Sequence, residues 1–224
     1  MSPISEVYNV DCLTYMQSLP DKYFDLCIAD PPYGMGKNKC NKSRHSGSGK
    51  LKNRVLNRNA ESFMKWDISP TKQVFEEIFR VSKNQIIWGG NYFDLPPTRE
   101  VICWDKCQPW ENFSQWEMAW TSFDGTAKMF RYDNRTGDKI HPTQKPIALY
   151  SWVLDNYAKQ GYKIFDPFLG SGSSRISAYK KGFDFYACEL DKEYFDAQEL
   201  RFRKECFGEQ ILKNGMIVKQ TTLF

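Results

Sequence analysis

The sequence has few of the residues that build metal centres, and it contains no long apolar run. Its 224 residues include two histidines, His45 and His141, and seven cysteines without any Cys-x-x-Cys spacing. This pattern favours reduced thiols over a structural zinc site, for which Cys103 and Cys107 are the less favoured candidates. We find neither a signal-peptide pattern nor an uncharged run long enough for a membrane span, so we expect a cytoplasmic protein.

Acidic residues are missing from one segment. No Asp or Glu occurs between Gly34 and Ala60, although the whole chain has a net charge of only +4, so the remainder is net acidic. A concentrated positive charge of this kind predicts contact with a polyanion, and the Gly and Ser residues there predict a mobile basic loop over 34–62. The basic residues of this segment are Lys37, Lys39, Lys42, Arg44, Lys50, Lys52, Arg54 and Arg58.

The hydrophobic pattern predicts one α/β domain over 1–224. Hydrophobic residues make up 41% of the chain and aromatic residues 16%, enough for a globular core. Strands alternate with helices, which predicts a mostly parallel sheet with helices on both faces and ligands beyond the carboxyl ends of its strands. The predicted strands are 24–29, 85–88, 163–165 and 184–188, and the predicted helices are 70–81, 146–161, 173–181 and one from about 192.

The tetrapeptide Asp30-Pro31-Pro32-Tyr33 directly follows a predicted buried strand. An exocyclic amino group is a poor nucleophile, because its lone pair is delocalised into the base. A carboxylate and a proline-fixed backbone carbonyl can both accept its hydrogens, and the aromatic ring can stack on a base lifted from the duplex. The alternative is a simple strand-ending turn, since Asp-Pro pairs are common in turns.

Two further segments each precede a predicted helix, the first of them directly after a predicted strand. The run Phe165-Asp166-Pro167-Phe168-Leu169-Gly170-Ser171-Gly172 is typical of a glycine turn that lets the backbone approach a ligand, and Glu189 closes the next strand at the position that commonly binds ribose hydroxyls. The run His141-Pro142-Thr143-Gln144-Lys145-Pro146 offers a lysine near free N–H groups, which suits a carboxylate. The alternative for the first segment is an ordinary strand–helix turn, and the alternative for the second is an ordinary loop at a helix start.

These three motifs in this order resemble the amino-methylating DNA methyltransferases, which modify N6 of adenine or N4 of cytosine. The catalytic tetrapeptide precedes the cofactor turn, which resembles the β group of that family. The resemblance implies a circularly permuted, Rossmann-like methyltransferase fold, S-adenosylmethionine as cofactor and double-stranded DNA as substrate. It also implies a bacterial or phage-encoded, nucleoid-associated protein of the restriction-modification type.

The resemblance implies roles for individual residues. The catalytic set is Asp30, Pro31, Pro32 and Tyr33. Asp11 would bind the adenine of the cofactor, although Val10 stands where the family usually has Gly, and Glu189 would bind its ribose. The full implied cofactor site is Asp11, Cys12, Thr143, Lys145, Asp166, Phe168, Gly170, Gly172 and Glu189.

Several functional alternatives stay open. We expect N6 of adenine as the target, since relatives that modify cytosine more often begin the tetrapeptide with Ser or Thr. N4-cytosine methylation is the nearest alternative. Methylation of RNA or protein amides would suit a tetrapeptide led by Asn, and a non-catalytic DNA-binding module is the alternative of a different class.

The Trp-rich residues 104–137 occupy the place of a short target-recognition insertion, which a dimer or a partner would complete. The oligomeric state, monomer or homodimer, is left open. The flexible tail, 219–224, includes Gln220-Thr221-Thr222-Leu223-Phe224, which resembles a short peptide that docks on the bacterial sliding clamp.

Overall fold

A computed structural model of the chain describes residues 2–34, 67–108, 114–133, 140, 143–211 and 216–219. The basic residues of the 34–62 segment, His141, Pro142 and the Gln220–Phe224 peptide lie outside this described part. The strands are β1 Ser5–Tyr8, β2 Phe24–Ala29, β3 Ser82–Trp88, β4 Val101–Asp105, β5 Trp116–Thr121, β6 Lys128–Arg131, β7 Lys163–Asp166, β8 Asp184–Cys188, β9 Glu209–Ile211 and β10 Ile217–Lys219. The helices are α1 Cys12–Gln17, α2 Lys72–Val81, α3 Ile147–Tyr157, α4 Ser173–Lys180 and α5 Lys192–Phe207, with a 3₁₀ turn at Gly90–Tyr92.

Eight of the described strands form one mostly parallel sheet in the order β1-β8-β7-β2-β3-β5-β4-β6. Only β5 among them runs antiparallel to its neighbours, β3 and β4. The strands β9 and β10 form a separate antiparallel pair after α5. The predicted α/β class with a mostly parallel sheet is confirmed.

The sheet reverses its direction of growth between β2 and β7, which are paired in parallel. From β2 the chain continues to β3 on one side, and from β7 it continues to β8 on the other. Such a switch point opens a crevice beyond the carboxyl ends of the two strands, where α/β proteins bind ligands. The tetrapeptide after β2 and the glycine turn after β7 therefore face the same crevice.

Two apolar cores cover the two faces of the sheet. Leu26 and Ile28 of β2 join the core under α3, whereas Cys27 and Ala29 join the core under α1 and α2. In α2 the buried side chains Val74, Phe75 and Ile78 follow helical spacing, so that a single stripe is buried. Because β2 is buried on both faces, the position of the tetrapeptide that follows it is well fixed.

The region 104–137, predicted as a target-recognition insertion, contains two strands of the main sheet and the end of a third. Trp104 on β4 and Trp120 on β5 are buried in the two cores. No strand was predicted in this region, yet residues 116–121 and 128–131 form strands of the main sheet. Trp116, at the start of β5, is 54% exposed.

No helix in the described part of the chain combines the length and the apolar character that a membrane crossing requires.

Candidate active site

A cavity of about 1490 Å³ lies at the carboxyl edge of the parallel strands. Segments that follow β1, β2, β7 and β8 form its wall, together with the start of β5 and the residues before α3. The antiparallel direction of β5 explains its part in the wall, since its first residues lie at the edge where the parallel strands end. Residues from all three predicted motifs line this cavity, among them Asp30, Tyr33, Thr143, Lys145, Phe168 and Gly170.

The carboxylate of Asp30 is held by two donors. Its Oδ1 atom accepts a hydrogen bond from Lys145 Nζ at 2.5 Å and another from the hydroxyl of Tyr33 at 3.2 Å. The Asp30 side chain is 19% exposed, so it still reaches the cavity. Burial raises the pKa of Asp30 above its usual range, and the Lys145 ammonium opposes that effect.

Lys145 is a buried cation between two carboxylates. Its Nζ lies 3.2 Å from Glu117 Oε2 on β5, in addition to its contact with Asp30. Burial alone would lower the pKa of Lys145, but Asp30 and Glu117 hold that pKa well above its usual value. Glu117 also forms an ion pair with Lys106, and although burial disfavours its charge, the two lysines keep the pKa of Glu117 below its usual range.

The ring of Tyr33 is fitted against the backbone of Gly89. A Cβ atom at position 89 would lie 2.3 Å from Tyr33 Cε1, and Gly89 has a φ of +68°, so both space and backbone conformation require glycine there. Tyr92, which is 48% exposed, stacks on Tyr33 with ring centroids 4.9 Å apart. Two aromatic rings therefore stand together at the rim of the cavity.

The glycine turn after β7 brings free backbone close to the cavity. Gly170 and Gly172 have φ values of +52° and +73°, which favour glycine. Glu189, at the end of β8, accepts hydrogen bonds from the backbone N–H groups of Gly170 at 2.7 Å and Asp191 at 2.9 Å. Burial raises the pKa of the Glu189 carboxyl. This carboxylate therefore ties two strand ends together at the cavity wall.

Two of the predicted cofactor residues lie behind the wall of the cavity. Asp166 is 1% exposed, and its carboxylate accepts hydrogen bonds from Phe168 N at 3.0 Å and Ser174 Oγ at 2.5 Å. Gly172 begins α4 beside Gln198. The contacts of Asp166 and Gly172 shape the turn, whereas Phe168 and Gly170 line the cavity. Asp11 and Cys12 line the cavity at the start of α1, where Asp11 caps the helix through Thr14 N at 2.9 Å.

Comparison with known proteins agrees with this geometry. The DNA methylase family model for N6 and N4 methyltransferases matches residues 104–200. The Type II methyltransferase M2.MboI of Moraxella bovis is 24% identical, over 88% of this chain and 87% of its own length. The family model and this relative both support a likeness to the amino-methylating DNA methyltransferases.

Solved structures of DNA methylases share the fold of this chain. The putative DNA modification methylase TTHA0409 from Thermus thermophilus, solved with S-adenosyl-L-methionine, has a TM-score of 0.57 at 17% identity, over 90% of this chain and 94% of that one. The cytosine-N4-specific PvuII DNA methyltransferase has a TM-score of 0.59 at 16% identity, over 96% of this chain and 89% of that one. The architecture is therefore not confined to proteins that modify adenine.

The cavity has groups that suit S-adenosylmethionine, the molecule with which the TTHA0409 methylase was solved. Glu189 and Asp11 provide carboxylates for hydroxyl and amino hydrogens, and Phe168 provides an aromatic surface. The glycine turn allows close approach of a ligand, because no Cβ projects from Gly170. The chemistry of these acceptors and surfaces therefore fits a nucleoside with a cationic centre.

Glu117, Lys106 and Tyr92 also line the cavity, and none of them was predicted from the sequence. Tyr92 follows Gly89-Gly90 at the end of a predicted strand, so the strand-end rule that indicated Asp30 could have indicated it as well. Glu117 carried no such signal, since it lies at the start of a strand that was not predicted. The lysine predicted as a clamp for a carboxylate of the cofactor, Lys145, contacts two carboxylates of the protein itself.

Proposed function

We propose that this protein transfers a methyl group to N6 of adenine at specific sites in double-stranded DNA. The observation that carries the proposal is the position of Asp30. Its carboxylate lies at the switch point of the sheet and lines the same cavity as the Gly170 turn. The relative from Moraxella bovis is named a Type II methyltransferase, which supports methylation at specific sites within a restriction-modification system.

The residues around Asp30 can activate an amino group. The Asp30 carboxylate accepts one hydrogen of the amino group, and the carbonyl of Pro31 accepts the other, which directs the nitrogen lone pair out of the plane of the base. S-adenosylmethionine, when bound, supplies an electrophilic methyl group. Tyr33 and Tyr92 provide aromatic surfaces for a base that has left the duplex. In this proposal the protein accelerates the reaction by positioning the reacting groups and by providing the negative charge of Asp30.

Adenine is the proposed target because Asp, rather than Ser or Thr, begins the tetrapeptide. The resemblance to the family supports this preference, whereas the fold occurs in a cytosine-modifying protein as well. N4-cytosine methylation is the competing outcome of the experiment below.

The test is expression in a methylation-free host, followed by nucleoside analysis of the host DNA. We expect N6-methyladenine with the parent chain and far less of it with Asp30→Asn. Loss of an aligned charged acceptor lowers the rate by about 10² to 10³. Binding of S-adenosylmethionine by Asp30→Asn, measured by calorimetry, should stay close to that of the parent chain. N4-methylcytosine in the DNA, or Asp30→Asn activity within a few-fold of the parent, would contradict the proposal.

Two finer proposals rest on the sequence outside the described residues. The eight basic residues between Gly34 and Ala60 are proposed to contact DNA phosphates. The Gln220–Phe224 peptide is proposed to dock on a sliding clamp, with its two apolar side chains in a groove. Binding to the host clamp that disappears on deletion of Leu223 and Phe224 would support this role, and binding that survives the deletion would contradict it.

A further inference from the structure

Four charged side chains of alternating sign form a line that starts at Asp30. Lys145 Nζ lies 2.5 Å from Asp30 Oδ1 and 3.2 Å from Glu117 Oε2, and Glu117 is paired in turn with Lys106. The line joins the end of β2, the segment before α3, the start of β5 and the residue after β4. Lys145 is almost fully buried, with a side chain that is 3% exposed. A buried cation needs nearby anions, and this one has two.

The contacts on Asp30 are unevenly divided between its two oxygens. Among the described residues, the hydrogen bonds from Lys145 and Tyr33 both reach Oδ1. A carboxylate oxygen has two acceptor positions, so these two donors saturate Oδ1. The same two donors fix the rotation of the carboxylate group about its bond to Cβ. Oδ2 is then the oxygen with both positions available for an amino group.

We propose that Lys145 and Glu117 are positioning residues for Asp30, a role that rests on the proposed function. Lys145 holds Oδ1 so that Oδ2 accepts from the target amino group, and Glu117 holds Lys145 at the correct distance. Glu117 prevents the ammonium from moving entirely onto Asp30, where it would compete with the substrate. In this assignment Lys145 acts through Asp30, rather than as a clamp for the methionine carboxylate of the cofactor.

The ionisation of Asp30 gives this assignment a specific signature. Asp30 must carry a charge to accept the amino hydrogen strongly. The groups that act on it are Tyr33, Lys145 before α3, Glu117 on β5, Tyr150 on α3 and Asp166 on β7. Lys145 and the Tyr33 hydroxyl favour the charged form, whereas burial, Glu117 and Asp166 disfavour it. Removal of Lys145 should therefore raise the pKa of Asp30, whereas removal of Glu117 should leave that pKa unchanged or lower it.

The experiment measures single-turnover methyl transfer from pH 5 to pH 9 with the full chain, S-adenosylmethionine and a DNA duplex containing the site. In Lys145→Met the pKa of Asp30 rises, so the acid limb of the rate profile should move to higher pH. In Glu117→Gln the limb should stay in place or move to lower pH. The plateau rate of Glu117→Gln should fall about tenfold, the effect of about 1.4 kcal/mol from one altered charged hydrogen bond.

Glu199→Gln is the matched control. Glu199 is paired with the buried Arg175 at 2.5 Å, much as Glu117 is paired with Lys145, and it does not line the cavity. This variant should keep the parent rate and acid limb. Glu117 is 24% exposed, so its conversion to the isosteric Gln keeps the proposal testable even if Lys145→Met does not fold.

Three outcomes would overturn the assignment. The first is a Glu117→Gln profile that moves to higher pH or keeps the parent plateau. The second is a folded Lys145→Met variant with the parent profile. The third is a Lys145→Met variant whose main defect is weaker binding of S-adenosylmethionine, which would indicate the carboxylate clamp. If instead the parent chain modifies no DNA, or Asp30→Asn stays active, the proposed function itself fails, so the two failures can be told apart.

Discussion

The hydroxyl of Ser173 donates a hydrogen bond to the backbone carbonyl of Lys145 at 2.8 Å. Arg201 donates to the same hydroxyl at 2.8 Å and to the carbonyl of Ser171 at 2.7 Å. The main chain of Lys145 is thereby fixed to the start of α4, while its ammonium reaches Asp30. One residue therefore spans the distance between the glycine turn and the tetrapeptide Asp30-Pro31-Pro32-Tyr33.

The first prediction concerns Glu189. Glu189→Ala should weaken S-adenosylmethionine binding about 10- to 100-fold, because a hydrogen bond to a charged group contributes about 1.5–3 kcal/mol. Calorimetry without DNA gives the dissociation constant. Glu193→Ala, an exposed position in the first turn of α5, is the matched control and should bind as tightly as the parent. Equal affinities for both variants would show that Glu189 only shapes the turn.

The second prediction concerns Gly89. Gly89→Ala should lower the methyl-transfer rate about a hundredfold, since the new Cβ would displace the ring of Tyr33 and misplacement by about 1 Å near reacting groups has an effect of that size. Single-turnover kinetics measure the rate. Gly161→Ala separates the two causes, because Gly161 has a similar φ of +86° but nothing within 4 Å of its added Cβ. If both variants lose the same activity, backbone strain rather than Tyr33 is responsible.

The third prediction concerns the basic segment between Gly34 and Ala60. Conversion of Lys50, Lys52 and Arg54 to Gln should weaken DNA binding at all sequences. It should also flatten the dependence of affinity on salt, by about 0.9 in the log–log slope for each phosphate that is no longer neutralised. Site preference should stay unchanged, since phosphate contacts position the protein and base contacts specify the site.

Fluorescence anisotropy at several salt concentrations measures this slope. The control converts Lys83, Lys163 and Lys181 to Gln, an equal change in charge. Lys83 is the second residue of β3 and Lys163 the first of β7, so both lie at the opposite edge of the sheet from the cavity. An altered recognition site with the parent salt slope would reverse the role given to this segment.

The sequence predicted the central strands and most helices, because β2, β7 and β8 are short apolar runs next to Pro or Gly signals. It did not predict β1, whose four residues show no apolar pattern and depend on pairing with β8, from Ser5 with Phe185 to Tyr8 with Cys188. Nor did it predict β4, although Ile102 and Trp104 alternate with less buried neighbours. The aromatic residues that follow in the Trp-rich region made this two-residue period hard to recognise.

The candidate site was predictable where it follows a local rule. Asp30, Phe168, Gly170 and Glu189 follow strands in sequence, so motif and topology indicate the same edge. The partners of Lys145 were not predictable, because its contact with Asp30 joins positions 115 residues apart. Glu117 reaches the cavity only because β5 runs against β3, and no local pattern in the sequence reports that direction.

The strand order places the two tasks of the protein on opposite flanks of β2. The strands β7, β8 and β1 carry the cofactor turn and Glu189, while β3, β5 and β4 carry Tyr92, Glu117 and the connection between β4 and β5. Under the proposed function, insertions or exchanges in that connection would change the surface near the target base without altering any strand of the other flank. New target preferences could then evolve, or be grafted between relatives, while the proposed cofactor pocket stays as it is.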